Sequence, residues 1–145
     1  TDVIVGFPGE TDADFAATLD VLRDAGVCKV HAFRFSAIEP TAAWAWRRDA
    51  PQAGAVRERM ARLGELEREL ADRYRRTFVG EQVEALVESS RDAAGRRQAM
   101  TRRYQRIAFD APRGERLTGA VRRLEVTGLD ADGLVGQLAG GPPGA

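Results

Sequence analysis

The stretch from residue 96 to residue 106 contains side chains suited to nucleic-acid binding, because several arginines surround one aromatic ring. Guanidinium groups contact phosphates in planar, bidentate pairs, and a nucleobase stacks on a tyrosine ring. A solvated strand face with one half-buried tyrosine would give the same pattern, so both interpretations stay open. The residues assigned to a candidate RNA-binding surface are Arg96, Arg97, Arg102, Arg103, Tyr104 and Arg106.

The cysteine and histidine content excludes several kinds of site. Cys28 is the only cysteine and His31 the only histidine in the 145 residues. An internal disulfide, a cysteine-rich zinc or iron–sulfur site and a multi-histidine metal site therefore cannot form within this chain. We assign no catalytic residue and no metal ligand.

The composition is that of a globular protein with one domain or two small ones. Of the residues, 43% are hydrophobic and 30% are charged, and 22 basic side chains balance 22 acidic ones. The balance is uneven, since residues 51–109 carry 13 basic and 9 acidic side chains. No apolar run approaches the roughly 20 residues that a membrane-spanning helix needs. We therefore expect an electropositive middle region and no membrane span.

The first third of the chain has the pattern of two parallel strands joined by a helix. The apolar run Val3–Phe7 predicts a strand that is buried on both faces. Thr11 is a candidate N-cap for the helix, and Gly26 is a candidate stop. A second strand is predicted at Val27–Ser36, which completes a βαβ unit. Because such a strand needs more neighbours, we expect the chain to be the C-terminal part of a longer protein.

The remainder changes from a helical to a strand periodicity. An irregular connector is predicted from Glu39 to Gln52, and one long helix from Ala53 to Phe78. Beyond Gly80, short strand candidates recur about every ten residues and predict a small β-barrel. The tail, residues 140–145, is expected to be disordered. The strand candidates are residues 83–87, 98–101, 106–109, 117–127 and 133–138.

Two groups of residues carry a resemblance to a known family. The opening TDVIVGFPGET, residues 1–11, resembles the late part of the radical-SAM domain of methylthiotransferases, with Phe15 and Thr18 at the family's spacing. The strand at residues 30–36 resembles the one that follows in that family. The segments at residues 78–88, 101–104 and 128–136 are similar to the TRAM domain, a small OB-like barrel that binds RNA.

The resemblance covers about residues 1–138 and implies a fold of the α/β plus β class. Residues 1–50 would be the C-terminal part of a radical-SAM partial barrel of βα units. Residues 51–78 would form a long linker helix, and residues 79–139 a small OB-like TRAM β-barrel.

The resemblance also implies that the parent protein is a methylthiotransferase that uses S-adenosylmethionine and two [4Fe–4S] clusters. The family's Cys-x3-Cys-x2-Cys loop is absent here, so this chain alone is not expected to be active. Apolar side chains would cover the adenine, and a glycine would let the ligand approach the backbone. An ordinary buried strand with a tight exit turn is the alternative. The residues that resemble cofactor-binding positions are Ile4, Gly6, Phe33 and Ser36.

The implied partner is tRNA, at its anticodon loop, in the cytoplasm, with neither a membrane nor DNA expected. The barrel most resembles the branch that modifies C2 of N6-threonylcarbamoyladenosine. The isopentenyl-adenosine branch, the ribosomal-protein branch and a non-catalytic RNA-binding module are the alternatives. Ile38 stands where the family usually has an arginine, and Pro40 where it usually has a glycine. The polar contacts that the family makes from this loop are therefore not expected.

Overall fold

The computed structural model describes residues 1–112 and 115–140 and divides into two compact units, Thr1–Tyr74 and Arg75–Ala145. Residues 141–145, most of the segment predicted to be disordered, lie outside the described residues. Among the residues described, no helix combines the length and the apolar character that crossing a membrane requires.

The first unit contains two parallel strands and the helices that pack on them. Its elements are β1 (Asp2–Val5), α1 (Asp12–Asp24), β2 (His31–Arg34), α2 (Ala42–Ala45), a 3-10 turn (Arg47–Asp49) and α3 (Ala53–Arg76). Strand β1 pairs in parallel with β2, and α1 joins them, so the predicted βαβ unit is confirmed. Strand β2 is shorter than predicted, and α2 lies within the segment predicted to be irregular.

Helix α1 begins and ends at local signals that the sequence contains. The Thr11 hydroxyl accepts the Asp14 N–H at 3.2 Å, and the Asp14 carboxylate accepts the Thr11 N–H at 2.9 Å. This reciprocal pair is a capping box, and it satisfies two N–H groups that the helix cannot pair itself. Hydrogen bonds from the Thr11 hydroxyl and backbone lower the pKa of Asp14. Gly26, at φ +64°, follows the last turn.

The core of the first unit lies against one face of the β1–β2 sheet. Leu63, Leu66 and Leu70 recur at helical spacing along α3 and are all buried. Helix α3 is therefore part of this core. The other buried residues of the cluster are Val5, Phe15, Leu19, Leu22 and Val30.

Strand β1 is buried on one face only, so the prediction that both of its faces are buried is wrong. Val5 is 0% exposed, whereas Ile4, the preceding residue, is 55% exposed. Successive side chains of a strand point to opposite faces, and only the face of Val5 meets the packed core. The opposite face of the sheet is open to solvent at Ile4 and at Phe33, which is 53% exposed.

The second unit is a closed five-stranded barrel, as the strand spacing predicts. Its strands are β3 (Gln82–Arg91), β4 (Arg97–Thr101), β5 (Arg106–Phe109), β6 (Val121–Asp130) and β7 (Gly133–Leu138). Their order around the barrel is β3-β4-β5-β7-β6, and only the β5–β7 pair is parallel. Strand β6 begins at Val121 rather than at Leu117, because a turn closed by the Ala120 N–H and the Leu117 carbonyl precedes it.

Alternate residues of the strands fill the barrel. Val83, Ala85 and Val87 of β3 point inward, together with buried residues of the other strands. Gly136 allows a close approach of β7 to its neighbours, since a Cβ there would lie 2.5 Å from the Glu125 carbonyl oxygen. Closure removes free strand edges, so the remaining surface of this unit is the outer face of its strands and its loops.

Candidate functional site

The residues predicted to contact a cofactor lie at the open face of the β1–β2 sheet and at its carboxyl end. Ile4 is the register partner of Phe33, so these two apolar side chains are neighbours on the exposed face. Ser36 is exposed and lies two residues beyond β2. The structure therefore brings Ile4 and Phe33 together as a small apolar surface, and Ser36 follows in the chain.

Gly6 occupies a different environment from the other three. It is buried, its φ is +83°, and a Cβ there would lie 2.8 Å from the Val56 Cγ2 atom of α3. Its N–H donates to the Glu10 carboxylate at 2.7 Å. The packing of α3 and the positive φ account for a glycine here without any ligand. The expected role of Gly6, close approach of a ligand to the backbone, is therefore not needed to explain the residue.

A buried arginine on α3 holds the loop after β1, and the sequence patterns did not single it out. Arg59 is 5% exposed and donates to the Glu10 carboxylate and to Asp12, each at 2.7 Å. Hydrogen bonds to Asp12 and Glu10 raise the pKa of Arg59 although burial opposes the shift. Its Nε atom is buried without an acceptor among the described residues. A basic residue in line with the helix's apolar stripe was the available signal.

Arg96, predicted to bind RNA, is instead held by two carboxylates of the barrel. Its Nε donates to Asp92 at 2.6 Å, and its Nη2 donates to Asp130, which joins the loop after β3 to the end of β6. The Arg96 hydrogen bond lowers the pKa of Asp130. Burial acts to raise the pKa of Asp92, but the hydrogen bonds and charge of Arg96 outweigh it and lower the pKa. We call Arg96, Asp92 and Asp130 the loop clasp.

Arg97 and Arg106, also predicted to bind RNA, make longer polar contacts than Arg96 does. Arg97 donates to the Thr118 hydroxyl and to the Glu115 carbonyl, each at 3.2 Å. Arg106 lies 3.9 Å from Glu88 and is about half exposed. Among the described residues, no carboxylate lies within hydrogen-bond distance of the Arg97 guanidinium, but Arg97 is tied to the loop before β6.

Tyr104 stands at the tip of the β4–β5 hairpin and is 87% exposed. Its φ is +55°, the left-handed region that glycine and asparagine enter more readily than tyrosine. The Thr101 carbonyl accepts its N–H at 3.0 Å, and the Thr101 hydroxyl accepts the Gln105 N–H at 3.0 Å. These bonds hold the backbone in a conformation that projects a tyrosine ring into solvent. Ordinary hairpin chemistry would favour glycine at this position.

The two arginines beside Tyr104, Arg102 and Arg103, differ in how closely a carboxylate pairs with their guanidinium groups. Arg103 donates to Glu81 at 2.8 Å, and its guanidinium lies 4.0 Å from the centre of the Phe78 ring. Arg102 reaches Glu84 only at 3.5 Å and its side chain is largely exposed. Arg102 is therefore the more available of the two for a phosphate.

Beside Tyr104 the structure has an apolar groove that the sequence patterns did not predict. Its volume is about 290 Å³. Leu86 lies at its centre, opposite Met100 of β4 and opposite Val121 of β6 in the strand register. The signal in the sequence was an outward-facing leucine within an alternating strand. The lining residues are Glu84, Leu86, Met100, Thr101, Arg102, Tyr104 and Val121, here named the Tyr104 groove.

The described residues provide no metal site. Groups of three or more histidine, cysteine, aspartate or glutamate side chains that could hold an ion do not occur among them. Cys28 is partly exposed and is the chain's single thiol, so an iron–sulfur cluster with three cysteine ligands does not fit this chain.

Comparison with known proteins identifies relatives along most of the chain. A tRNA-2-methylthio-N(6)-dimethylallyladenosine synthase from Mycobacterium ulcerans is 42% identical over 110 residues, which are 76% of this chain and 20% of that protein. Its counterpart in Protochlamydia amoebophila is 32% identical over 143 residues, 95% of this chain and 30% of that protein.

A third relative has a different substrate in its name. The threonylcarbamoyladenosine tRNA methylthiotransferase MtaB of Chlamydia pneumoniae is 31% identical over 140 residues, 95% of this chain and 32% of that protein. No protein-family model matches the chain. The chain thus spans about a fifth to a third of the length of these relatives. The resemblance seen in the sequence is confirmed, and the chain belongs to the tRNA methylthiotransferase family.

Proposed function

We propose that this chain works within a longer tRNA methylthiotransferase of the radical-SAM type, in the cytoplasm. Residues 1–50 would belong to the radical-SAM domain, residues 51–78 would be the linker helix, and residues 79–139 would be a TRAM barrel that holds tRNA. The observation that carries the proposal is similarity across both units to tRNA methylthiotransferases that are about three times as long.

The longer protein would insert a methylthio group at C2 of an N6-modified adenosine in the anticodon loop of tRNA. S-Adenosylmethionine and two [4Fe–4S] clusters would supply the radical chemistry when bound. Their cysteine ligands would come from outside this chain, because Cys28 is alone. Ile4 and Phe33 form an exposed apolar pair that would suit the flat face of an adenine. Gly6 and Ser36 would complete the surroundings of the cofactor.

The first candidate substrate is N6-threonylcarbamoyladenosine, and the second is N6-dimethylallyladenosine. The name of the Chlamydia relative supports the first, and the names of the Mycobacterium and Protochlamydia relatives support the second. Mass spectrometry of tRNA nucleosides from a gene-deletion strain would separate them. We expect the 2-methylthio derivative of one of these nucleosides to disappear. Unchanged levels of both derivatives would contradict the proposed activity.

The RNA-binding part of the proposal has its own test. The exposed Tyr104 and the arginines near it support contact with tRNA. In a filter-binding titration we expect salt-sensitive binding of tRNA by this chain, at a Kd of about a micromolar or weaker, because few phosphates can be neutralised. The absence of binding at low salt would contradict RNA binding. Competition with a ribosomal protein would test the ribosomal-protein branch.

The chain by itself should not cleave S-adenosylmethionine, since a cluster is required to reduce it. Incubation of the purified chain with S-adenosylmethionine and a reductant, followed by chromatography for 5′-deoxyadenosine and methionine, checks this. Turnover by the isolated chain would show that its own residues suffice. A stand-alone RNA-binding module would instead bind tRNA while its gene deletion left the methylthio nucleosides intact.

A further inference from the structure

Two outer faces of the barrel are available to RNA, and their charges differ. Barrels of the OB kind bind oligonucleotides over their second and third strands, with the loops that follow the first and the fourth strands. The corresponding face here comprises β4, β5 and the loops near Asp92 and Asp132. Asp92, Asp130 and Asp132 line it, and the loop clasp occupies Arg96. Arg106 also lines this face, so its three carboxylates stand against two guanidinium groups, those of Arg96 and Arg106. The face keeps a formal net negative charge, which disfavours phosphates.

The Tyr104 groove lies on the other face, over β3, β4 and β6, and has an ordered arrangement of side chains. Met100, Leu86 and Val121 form an apolar row across the three strands, because Leu86 is the register partner of both other residues. Leu86 and Val121 are among the exposed large hydrophobic residues of the chain. The row therefore provides an apolar floor next to the Tyr104 ring.

A charged row runs beside the apolar one. Glu84 lies opposite Arg123 of β6 in the strand register, and Arg102 approaches Glu84 from the other side at 3.5 Å. Both arginines are exposed. The row contains two guanidinium groups and one carboxylate, so it carries a formal net positive charge that can accept a phosphate. The sequence patterns had assigned Arg102 to RNA binding but had not included Arg123.

The conformation of Tyr104 gives an independent reason to assign a role to this groove. A tyrosine at φ +55° is strained, and an exposed ring gains little from burial. Glycine would fit the backbone better. Strained residues of this kind cluster at binding sites, where the side chain is used.

We propose that the Tyr104 groove, rather than the β4–β5 face, binds a single-stranded nucleotide of RNA. The base stacks on the Tyr104 ring over the apolar row, and the adjacent phosphates pair with Arg102 and Arg123. This assignment rests on the proposed function, in which the barrel binds tRNA. Stacking without base-edge hydrogen bonds makes the contact tolerant of sequence. The net positive charge at the rim of the groove favours RNA over an apolar contact with a second copy of the chain.

The first test distinguishes loss of stacking on the Tyr104 ring from loss of folding stability. The chain carrying Tyr104→Gly is titrated with a fluorescent anticodon stem–loop RNA and unfolded in urea. We expect RNA affinity to fall about 10-fold, in the range measured for loss of one stacked base. The urea midpoint should stay unchanged or rise, because glycine accepts the positive φ. Tyr104→Phe, which keeps the ring, should bind within about 2-fold of the original chain.

The second test concerns the phosphates. Removing both guanidinium groups with Arg102→Gln and Arg123→Gln should reduce the slope of log affinity against log salt by about 1.4, the value for two contacts on a single strand. Gln98→Ala, on the β4–β5 face, is the control and should leave affinity and slope unchanged.

The possible results distinguish a wrong face assignment, an absence of RNA binding and a protein interface. If RNA binds and Gln98→Ala weakens it while Tyr104→Gly does not, the face assignment is overturned and RNA binding by the barrel stands. If the original chain fails to bind RNA at low salt, RNA binding by the barrel and this assignment both fail, while the proposed methylthiotransferase activity is judged by the gene deletion. If sedimentation shows a dimer that Tyr104→Gly dissociates, with RNA affinity unchanged, the groove is a protein interface and the proposal is wrong.

Discussion

In each unit an arginine bridges two carboxylates, Arg59 in the first and Arg96 in the second, but the two clusters have different surroundings. Arg59 is almost fully buried and connects helix α3 to Glu10 of the loop after β1 and to Asp12, the first residue of α1. Arg96 of the loop clasp is about a quarter exposed and connects two loops at the surface of the barrel. One cluster fixes how a helix packs on a sheet, and the other fixes the distance between two loops.

The difference shows why the position of an arginine in a sequence does not reveal whether its guanidinium will be buried, paired with carboxylates or free to bind a ligand. Arg96 belongs to a run of basic residues that predicts RNA binding, yet two aspartates hold it. Arg59 lies in a helix full of solvated arginines, yet it is buried. Loss of Arg59 leaves the Glu10 carboxylate buried without its cation, which is costly. Loss of the Arg96 side chain costs less, because water reaches Asp130 and the residue 96 backbone N–H still donates to the buried Asp92 carboxylate.

The largest expected effect comes from breaking the buried cluster. Arg59→Ala leaves the Glu10 carboxylate buried without its cation, which should lower the free energy of unfolding of the first unit by about 3 kcal/mol. Both tryptophans, Trp44 and Trp46, lie in this unit, so their fluorescence during urea unfolding measures the change. Arg57→Ala, an exposed arginine of the same helix, should shift the free energy by less than about 0.5 kcal/mol. Equal effects of the two variants would contradict the comparison.

Breaking the loop clasp is expected to have a smaller effect on stability, confined to the barrel's loops. Arg96→Ala should speed hydrogen exchange in the β3–β4 loop and at the end of β6, while the tryptophan transition of the first unit stays in place. Water can solvate the freed Asp130 carboxylate, and the buried Asp92 carboxylate keeps the hydrogen bond from the residue 96 backbone N–H. Mass spectrometry of exchanged peptides would report the change. Faster exchange throughout the barrel would show that the clasp supports more than its loops.

Acid should weaken the loop clasp through its two aspartates. The pKa of Asp92 and the pKa of Asp130 are both lower in the folded state than their ordinary value of 3.8. Their contribution to stability is therefore full above about pH 4 and is lost as the pH falls through the lower folded values. Exchange in the two loops should accelerate as the pH falls below about 4, after correction for intrinsic rates. The Arg96→Ala variant should lack this extra acceleration.

The smallest expected effect is local to the first unit. Thr11→Ala removes one half of the capping box at α1 and should lower the free energy of unfolding by about 1 kcal/mol. Tryptophan fluorescence in urea measures it, and Thr11→Ser should restore most of the loss. A change as large as that of Arg59→Ala would mean that the cap supports tertiary packing as well.

Much of the fold could be predicted because its signals are local. The cap at Thr11, the stop at Gly26, the leucine stripe of α3 and the strand alternation in the barrel depend on neighbours in the chain. Burial of β1 could not be predicted in the same way. An apolar strand has the same composition whether one or both of its faces are covered, and Ile4 is open here.

The residues of the candidate sites also divide into those that the sequence could predict and those that it could not. Arg102 and Tyr104 could be proposed from the sequence, since an aromatic ring among arginines predicts nucleic-acid contact. Leu86 and Arg123 were not, because their place beside Tyr104 follows from strand register between β3, β4 and β6. Gly6 was assigned to a ligand, and the structure adds a second reason for a glycine there, the close approach of Val56, which lies fifty residues away in the chain.

The sequence by itself determined the family, the βαβ unit, the long helix and the small barrel, because motif spacing and residue periodicity are properties of short segments. Only the tertiary structure decided which arginines remain available to a phosphate and which face of the barrel carries an apolar groove. The physical reason is that charge pairing and desolvation depend on which atoms from distant segments meet. Arg96 and Arg102 are only six positions apart, yet aspartates from two loops hold the first and leave the second at the rim of the groove.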